Sequence, residues 1–95
     1  MDITVTLNLL GVPSFDVRES EMAFSLAAKA TVADLLLLIE QRNPGFTQAV
    51  TADDGNISKQ FVFFVNGRNI YHLNGTSTEL SPNDVVNVIP AIAGG

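Results

Sequence analysis

The residues whose types and spacing suggest chemistry stand at the end of the sequence, where Gly94 and Gly95 follow Pro90-Ala91-Ile92-Ala93. Every side chain after Pro90 except that of Ile92 is a methyl or a hydrogen. Fully extended, such a six-residue stretch reaches about 20 Å. Glycine loses more conformational freedom than any other residue when it is held, so a terminal pair adds nothing to stability. What the pair permits is close approach, since a backbone without side chains can enter a narrow channel in another protein. The group delivered there is the α-carboxylate of Gly95, and an ordinary α-carboxyl group is ionised at neutral pH. An anion is a poor electrophile. It must be activated before a nucleophile attacks, and acyl-adenylate formation with ATP is the usual route. A persulfide or a thiol can then displace AMP, leaving a thiocarboxylate or a thioester on Gly95.

Little else in the chain offers reactive parts. There is no cysteine, which excludes disulfides, thiolate metal sites and a cysteine nucleophile. The single histidine, His72, leaves no zinc site, and beside Tyr71 it reads as a surface residue rather than a base. Asp53-Asp54-Gly55-Asn56 resembles a fragment of a calcium loop, but the spaced ligands and closing glutamate are missing, so it reads as a turn. Thr76-Ser77-Thr78 reads as a solvated loop. Lys29 and Lys59 are the only lysines.

Ten acidic residues against five basic ones give a net charge of −5, which argues against nucleic acid and for a basic partner. Ninety-five residues with 46% apolar and 16% charged side chains form one small globular domain. The longest apolar run, Leu35 to Ile39, is far short of the roughly 20 residues of a bilayer span. Met1-Asp2-Ile3-Thr4-Val5-Thr6 alternates like a strand rather than a signal sequence, so a cytoplasmic protein without membrane contact is expected.

The elements that must position the tail follow from periodicity. Ile3, Val5, Leu7 and Leu9 alternate with Thr4, Thr6 and Asn8, which marks a strand with one buried face. Gly11 to Glu21 is expected to be a loop, leading to a second strand at Met22 to Ala27. Thr31 offers an N-cap with Asp34 three residues on, and Val32, Leu35, Leu36 and Ile39 form one helical stripe. Asn43-Pro44-Gly45 stops that helix, and Leu37 is a candidate for exposure. Phe46 to Val50 suggests a short helical turn. Phe61 to Val65 is the strongest strand signal, and Asn66-Gly67 is the preferred type I′ hairpin pair leading to a return strand at Arg68 to Tyr71. Val85 to Ile89 is the last strand. Pro90 is expected to close it and release the tail.

A helix between the first hairpin and the later strands is a crossover that places the joined strands parallel. The expected fold is therefore α+β, a β-grasp (ubiquitin-like) domain with a mixed four- to five-stranded sheet and one main helix on one face. Residues 1–89 form the domain and 90–95 a flexible tail. Ile3, Val5, Leu7, Leu35, Leu36, Ile39, Phe46 and Leu80 are expected in the core. Phe61, Phe63 and Val65 point one way and Val62 and Phe64 the other, so one set lies on the face the helix does not cover. The sheet face near Phe61 or Phe63 is the expected docking patch.

The stretch Asn83-Asp84-Val85-Val86-Asn87-Val88-Ile89-Pro90-Ala91-Ile92-Ala93-Gly94-Gly95 resembles the C-terminal signature of the MoaD/ThiS family of sulfur-carrier proteins. In that signature a turn leads into a strand, then proline, small residues and a terminal diglycine. Phe61-Val62-Phe63-Phe64-Val65-Asn66-Gly67-Arg68-Asn69-Ile70 is similar to the family's strand and hairpin. The single Pro90, the ending and the length look most like the carrier of a cysteine-biosynthesis pathway, whereas typical MoaD chains end with two prolines after an aromatic strand.

The resemblance implies that Gly95 is adenylated by an E1-like (MoeB/ThiF-type) enzyme and converted to a thiocarboxylate. That group would pass sulfur to an acceptor enzyme or to the large subunit of a synthase, for cysteine, molybdopterin or a related metabolite. Gly94 and Ala93 would keep the approach narrow, while Ile92 and Pro90 would line the channel mouth. ATP and any metal would belong to the partner, with no cofactor bound by this chain, which is a carrier and substrate rather than an enzyme. Two alternatives remain: a ubiquitin-like modifier joined through Gly95 to lysines of other proteins, or a β-grasp interaction domain with an inert terminus, such as a phage tail-assembly component.

Overall fold

A computed structural model describes residues 2–9 and 21–91. The expected loop from Gly11 to Glu21 lies almost wholly outside the described residues, as do Ile92, Ala93, Gly94 and Gly95. Strands β1 (Asp2–Leu9) and β2 (Glu21–Ala27) precede helix α1 (Val32–Arg42) and the short helix α2 (Phe46–Val50). Strands β3 (Phe61–Val65), β4 (Arg68–Asn69) and β5 (Val85–Pro90) follow, with two single 3₁₀ turns, Ile70–His72 and Gly75–Ser77, between β4 and β5.

The five strands form one sheet in the order β2-β1-β5-β3-β4. β1 and β2 are antiparallel, from Asp2 opposite Ala27 to Asn8 opposite Glu21. β1 and β5 are parallel, as a helical crossover requires. β5 also pairs antiparallel with β3, so the strand leading to the tail lies in the middle of the sheet. This is the expected β-grasp arrangement, with α1 as the main helix.

Local sequence explains the helix and its packing. Thr31 Oγ1 accepts the Asp34 N–H, and Asp34 Oδ2 accepts the Thr31 N–H at 2.9 Å, a reciprocal capping box. Val32, Leu35, Leu36 and Ile39 are buried from α1, while Leu37 is 65% exposed. Ile3, Val5, Leu7, Phe46 and Leu80 join them in the core. Burying a side chain such as Phe46 contributes about 1.5–3 kcal/mol. Arg42, at the end of α1, lays its guanidinium 4.4 Å from the Phe24 ring centroid. Among the described residues, no helix is long and apolar enough to cross a membrane.

Three expectations need correction. The return strand stops at Asn69 rather than Tyr71, because Asn69 Oδ1 accepts the Tyr71 N–H at 2.9 Å and turns the chain into a 3₁₀ helix. Thr78 is buried, not solvated: its hydroxyl accepts the Asn74 N–H at 3.1 Å, and its carbonyl accepts the Val32 N–H. Phe63 is only 1% exposed and lies under the helical layer with Val65, so it forms no docking patch. Its cross-strand partner Val88 is fully buried, and that pairing decides which way Phe63 points.

Candidate functional site

The end of β5, the strand that precedes the C-terminal residues, is positioned by β3. Asn66 N–H donates to the Val85 carbonyl at 2.8 Å, and Ala91 N–H donates to the Gln60 carbonyl at 2.8 Å. Antiparallel ladders alternate hydrogen-bonded and non-hydrogen-bonded pairs. The pair Phe61–Pro90 therefore falls between the bonded pairs Gln60–Ala91 and Val62–Ile89. Pro90 can occupy the last position of β5 because no N–H is needed there toward β3. On the other side β1 ends at Leu9, opposite Val88. Pro90 thus does not release the chain as early as expected, and main-chain pairing continues through Ala91.

The start of β5 is held by the two turns that carried the resemblance. Asn66 (φ 52°) and Gly67 (φ 84°) have the positive φ values of a type I′ turn. Asn66 Nδ2 donates to Asp84 Oδ1 at 2.7 Å, and Asn66 Oδ1 accepts the Val85 N–H at 2.9 Å. Asp84 Oδ2 accepts the Ser81 N–H at 2.8 Å. The hairpin and the turn before β5 are thereby tied together, which fixes the β3–β5 register.

Two surfaces flank the end of β5. On the sheet face away from α1, Val62, Phe64, Val85 and Ile89 are half-buried. In the same face Asn8 Nδ2 donates to Asn87 Oδ1 at 2.9 Å. This face, not the one with Phe63, is the open apolar surface. The signal for it lay in β5, whose Asn87 stands opposite Phe64 while Val86 and Val88 stand opposite Val65 and Phe63. Adjoining that face through Val62, a groove of about 480 Å³ opens beside Phe61, with Ile57, Ile70, Tyr71, Asp54 and Lys59 among its lining residues. Phe61 is half-buried and packs against the core, so of the two expected docking residues it alone reaches a surface.

Asp54 Oδ1 accepts the Asn56 N–H at 3.0 Å and Oδ2 accepts Asn56 Nδ2 at 3.2 Å, a turn-forming pattern. The backbone N–H of Asn56, then its side chain, hold the Asp54 carboxyl below the usual carboxylate range. His72 is exposed and meets Tyr71 edge-on at 5.3 Å between ring centroids.

A protein-family model described as the ThiS family matches residues 14–95. The chain belongs to this family. A putative sulfur carrier protein of Archaeoglobus fulgidus is 36% identical over 69 residues, 73% of this chain and 78% of that one. Small archaeal modifier protein 3 of Haloferax volcanii is 36% identical over 66 residues, 70% of this chain and 71% of that one. Among solved structures, the Haloferax volcanii HVO 2177 protein superimposes with a TM-score of 0.81 at 28% identity, covering 99% of this chain and 88% of that one. ThiS family membership thus places the chain among small carrier and modifier proteins of β-grasp fold, and the family match runs through both terminal glycines.

Proposed function

We propose that this protein is a sulfur carrier whose reacting group is the carboxylate of Gly95. The observation that carries the reading is a Gly-Gly-ended tail following the central strand of a β-grasp sheet, within a family match that extends to residue 95. An E1-like (MoeB/ThiF-type) partner supplies ATP and any metal. A Gly95 oxygen attacks the α-phosphorus, pyrophosphate leaves, and the acyl adenylate forms. A sulfur nucleophile then displaces AMP: hydrosulfide gives the thiocarboxylate directly, and a persulfide gives an acyl disulfide that a second thiol cleaves. The thiocarboxylate passes its sulfur to an acceptor enzyme or synthase subunit, in the biosynthesis of cysteine, molybdopterin or a related metabolite.

Within this reading Gly94 and Ala93 keep the tail thin enough for the nucleotide site, and Ile92 contacts the channel mouth. Pro90 and Ala91, held on the sheet, set the direction of approach and lower the ordering cost of docking. The open face with Val62, Phe64 and Ile89 meets the partner, and the acidic surface steers it.

The relationship to a small archaeal modifier protein favours a second reading, conjugation of Gly95 to lysines of other proteins. Incubation with the activating enzyme, ATP and a sulfur donor, followed by intact mass measurement, separates the two. A carrier gains the mass difference of one oxygen replaced by one sulfur. A modifier is recovered only in conjugates.

A further inference from the structure

The groove beside the end of β5 has a feature the carrier chemistry does not use. Tyr71 is 84% exposed, the most exposed large apolar side chain among the described residues, and it stands at the wall of the groove. Phe61 and Ile57, both half-buried, expose their remaining surface there, and Ile70 closes the base from the core. A volume of about 480 Å³ falls within the range of ligand-holding clefts. Large aromatic side chains at the wall of an apolar cleft are the residue type that dominates interface energetics.

Chain length says what lies over this groove. Resting on the carrier reading, four residues separate Ala91, whose N–H bonds to Gln60, from the reacting carboxylate. Four residues span at most about 14 Å. An enzyme that encloses the carboxylate must therefore bring its own surface against the rim where the tail leaves. Phe61, the cross-strand partner of Pro90, forms part of both that rim and the groove. Cross-strand partners share a sheet face, so Pro90 lies on the same face as Phe61. Asp54, anchored by Asn56, and Lys59 both line the groove, so its charged groups are mixed and its apolar walls are what a partner side chain would bury.

We propose that this groove receives an apolar side chain of the adenylating enzyme, and so extends the docking surface beyond the open sheet face, with Val62 lining both. The test uses the full chain and the adenylating enzyme from the same cells, with ATP–pyrophosphate exchange as the readout. Tyr71→Ala should raise KM for the chain about tenfold with kcat within about twofold, the size of a truncated interface anchor. Tyr71→Phe should keep KM unchanged. Thr76→Phe, which fills the groove from its wall, should raise KM as Tyr71→Ala does. Thermal melting confirms that each variant is folded. Unchanged KM in both Tyr71→Ala and Thr76→Phe, while deletion of Gly94 and Gly95 abolishes exchange, overturns the groove but leaves the carrier reading intact. Exchange that survives the deletion overturns the carrier reading itself. A fall in KM for Tyr71→Ala assigns the groove to this chain's own tail, and a concentration-dependent dimer lost in that variant assigns it to a second copy; either result overturns the proposal.

Discussion

Phe61 and Pro90 face each other across the β3–β5 ladder at a position where the ladder needs no hydrogen bond from Pro90. The proline therefore sits inside a central strand without breaking it, and the bonded pair Gln60–Ala91 follows it. Main-chain pairing among the described residues therefore reaches one residue beyond the proline.

Replacing Pro90 with alanine should accordingly leave stability within about 1 kcal/mol of the parent. Ile89→Pro, one residue earlier, removes an N–H at a bonded position and should cost about 3 kcal/mol or more. Urea denaturation of the two variants checks the contrast. Equal losses would mean that the alternation at this end of β5 is misassigned.

The Asp84 carboxylate is buried and accepts from both Asn66 Nδ2 and the Ser81 N–H. Asp84→Ala leaves those donors without their acceptor and should cost about 2–3 kcal/mol. Asp84→Asn keeps one acceptor oxygen and should cost less. Equilibrium unfolding in urea measures both, and a neutral Asp84→Ala would contradict the clamp.

Glu40 joins α1 to α2. Its Oε2 accepts the Gly45 N–H at 2.7 Å and its Oε1 the Thr47 N–H at 2.9 Å. The Gly45 bond first, then the Thr47 bond, lower its pKa from the ordinary 4.5. A folded-state pKa below the unfolded value gives stability that is present above about pH 4.5 and is lost as pH falls through the folded value. Glu40→Gln should remove part of this acid-side loss, seen as a shallower decline in melting temperature below pH 4.5 than in the parent. Asp54 contributes in the same direction in both proteins, so the difference between the two profiles isolates Glu40.

Two leucines of α1, two positions apart, should behave oppositely. Leu35 is fully buried, and Leu35→Ala should cost about 2–5 kcal/mol. Leu37 is 65% exposed, and Leu37→Ala should stay within about 0.5 kcal/mol. Thermal melts suffice to tell them apart.

Features set by neighbouring residues were legible in the sequence. The Thr31–Asp34 cap, the Val32/Leu35/Leu36/Ile39 stripe and the Asn66-Gly67 turn depend on contacts within a few positions, and all appear as read. What escaped depends on pairing partners far away in sequence. The choice between Phe63 and Phe64 as the exposed side chain is made by β5, through Val88 and Asn87, about 25 residues on. The effect of Pro90 likewise depends on whether its position is a bonded one, which only the β3–β5 register decides. Asn69 ended β4 early because its side chain competes with the ladder for the Tyr71 N–H. Of the candidate site residues, Pro90, Phe61 and Phe63 fall among the described residues; Phe63 lies in the core, and Pro90 ends β5 with pairing still continuing at Ala91.

In the proposed chemistry every step passes through the Gly95 carboxylate. The most direct measurement incubates the chain, and the same chain prepared with Gly95 as its amide, with the adenylating enzyme, ATP and a sulfur donor, and then locates any added sulfur by fragment mass spectrometry. One oxygen should be exchanged for sulfur at Gly95 in the acid form, with no change in the amide. Sulfur found elsewhere in the chain, equal labelling of the amide, or an acid form that stays unmodified while the enzyme turns over another carrier would contradict that chemistry.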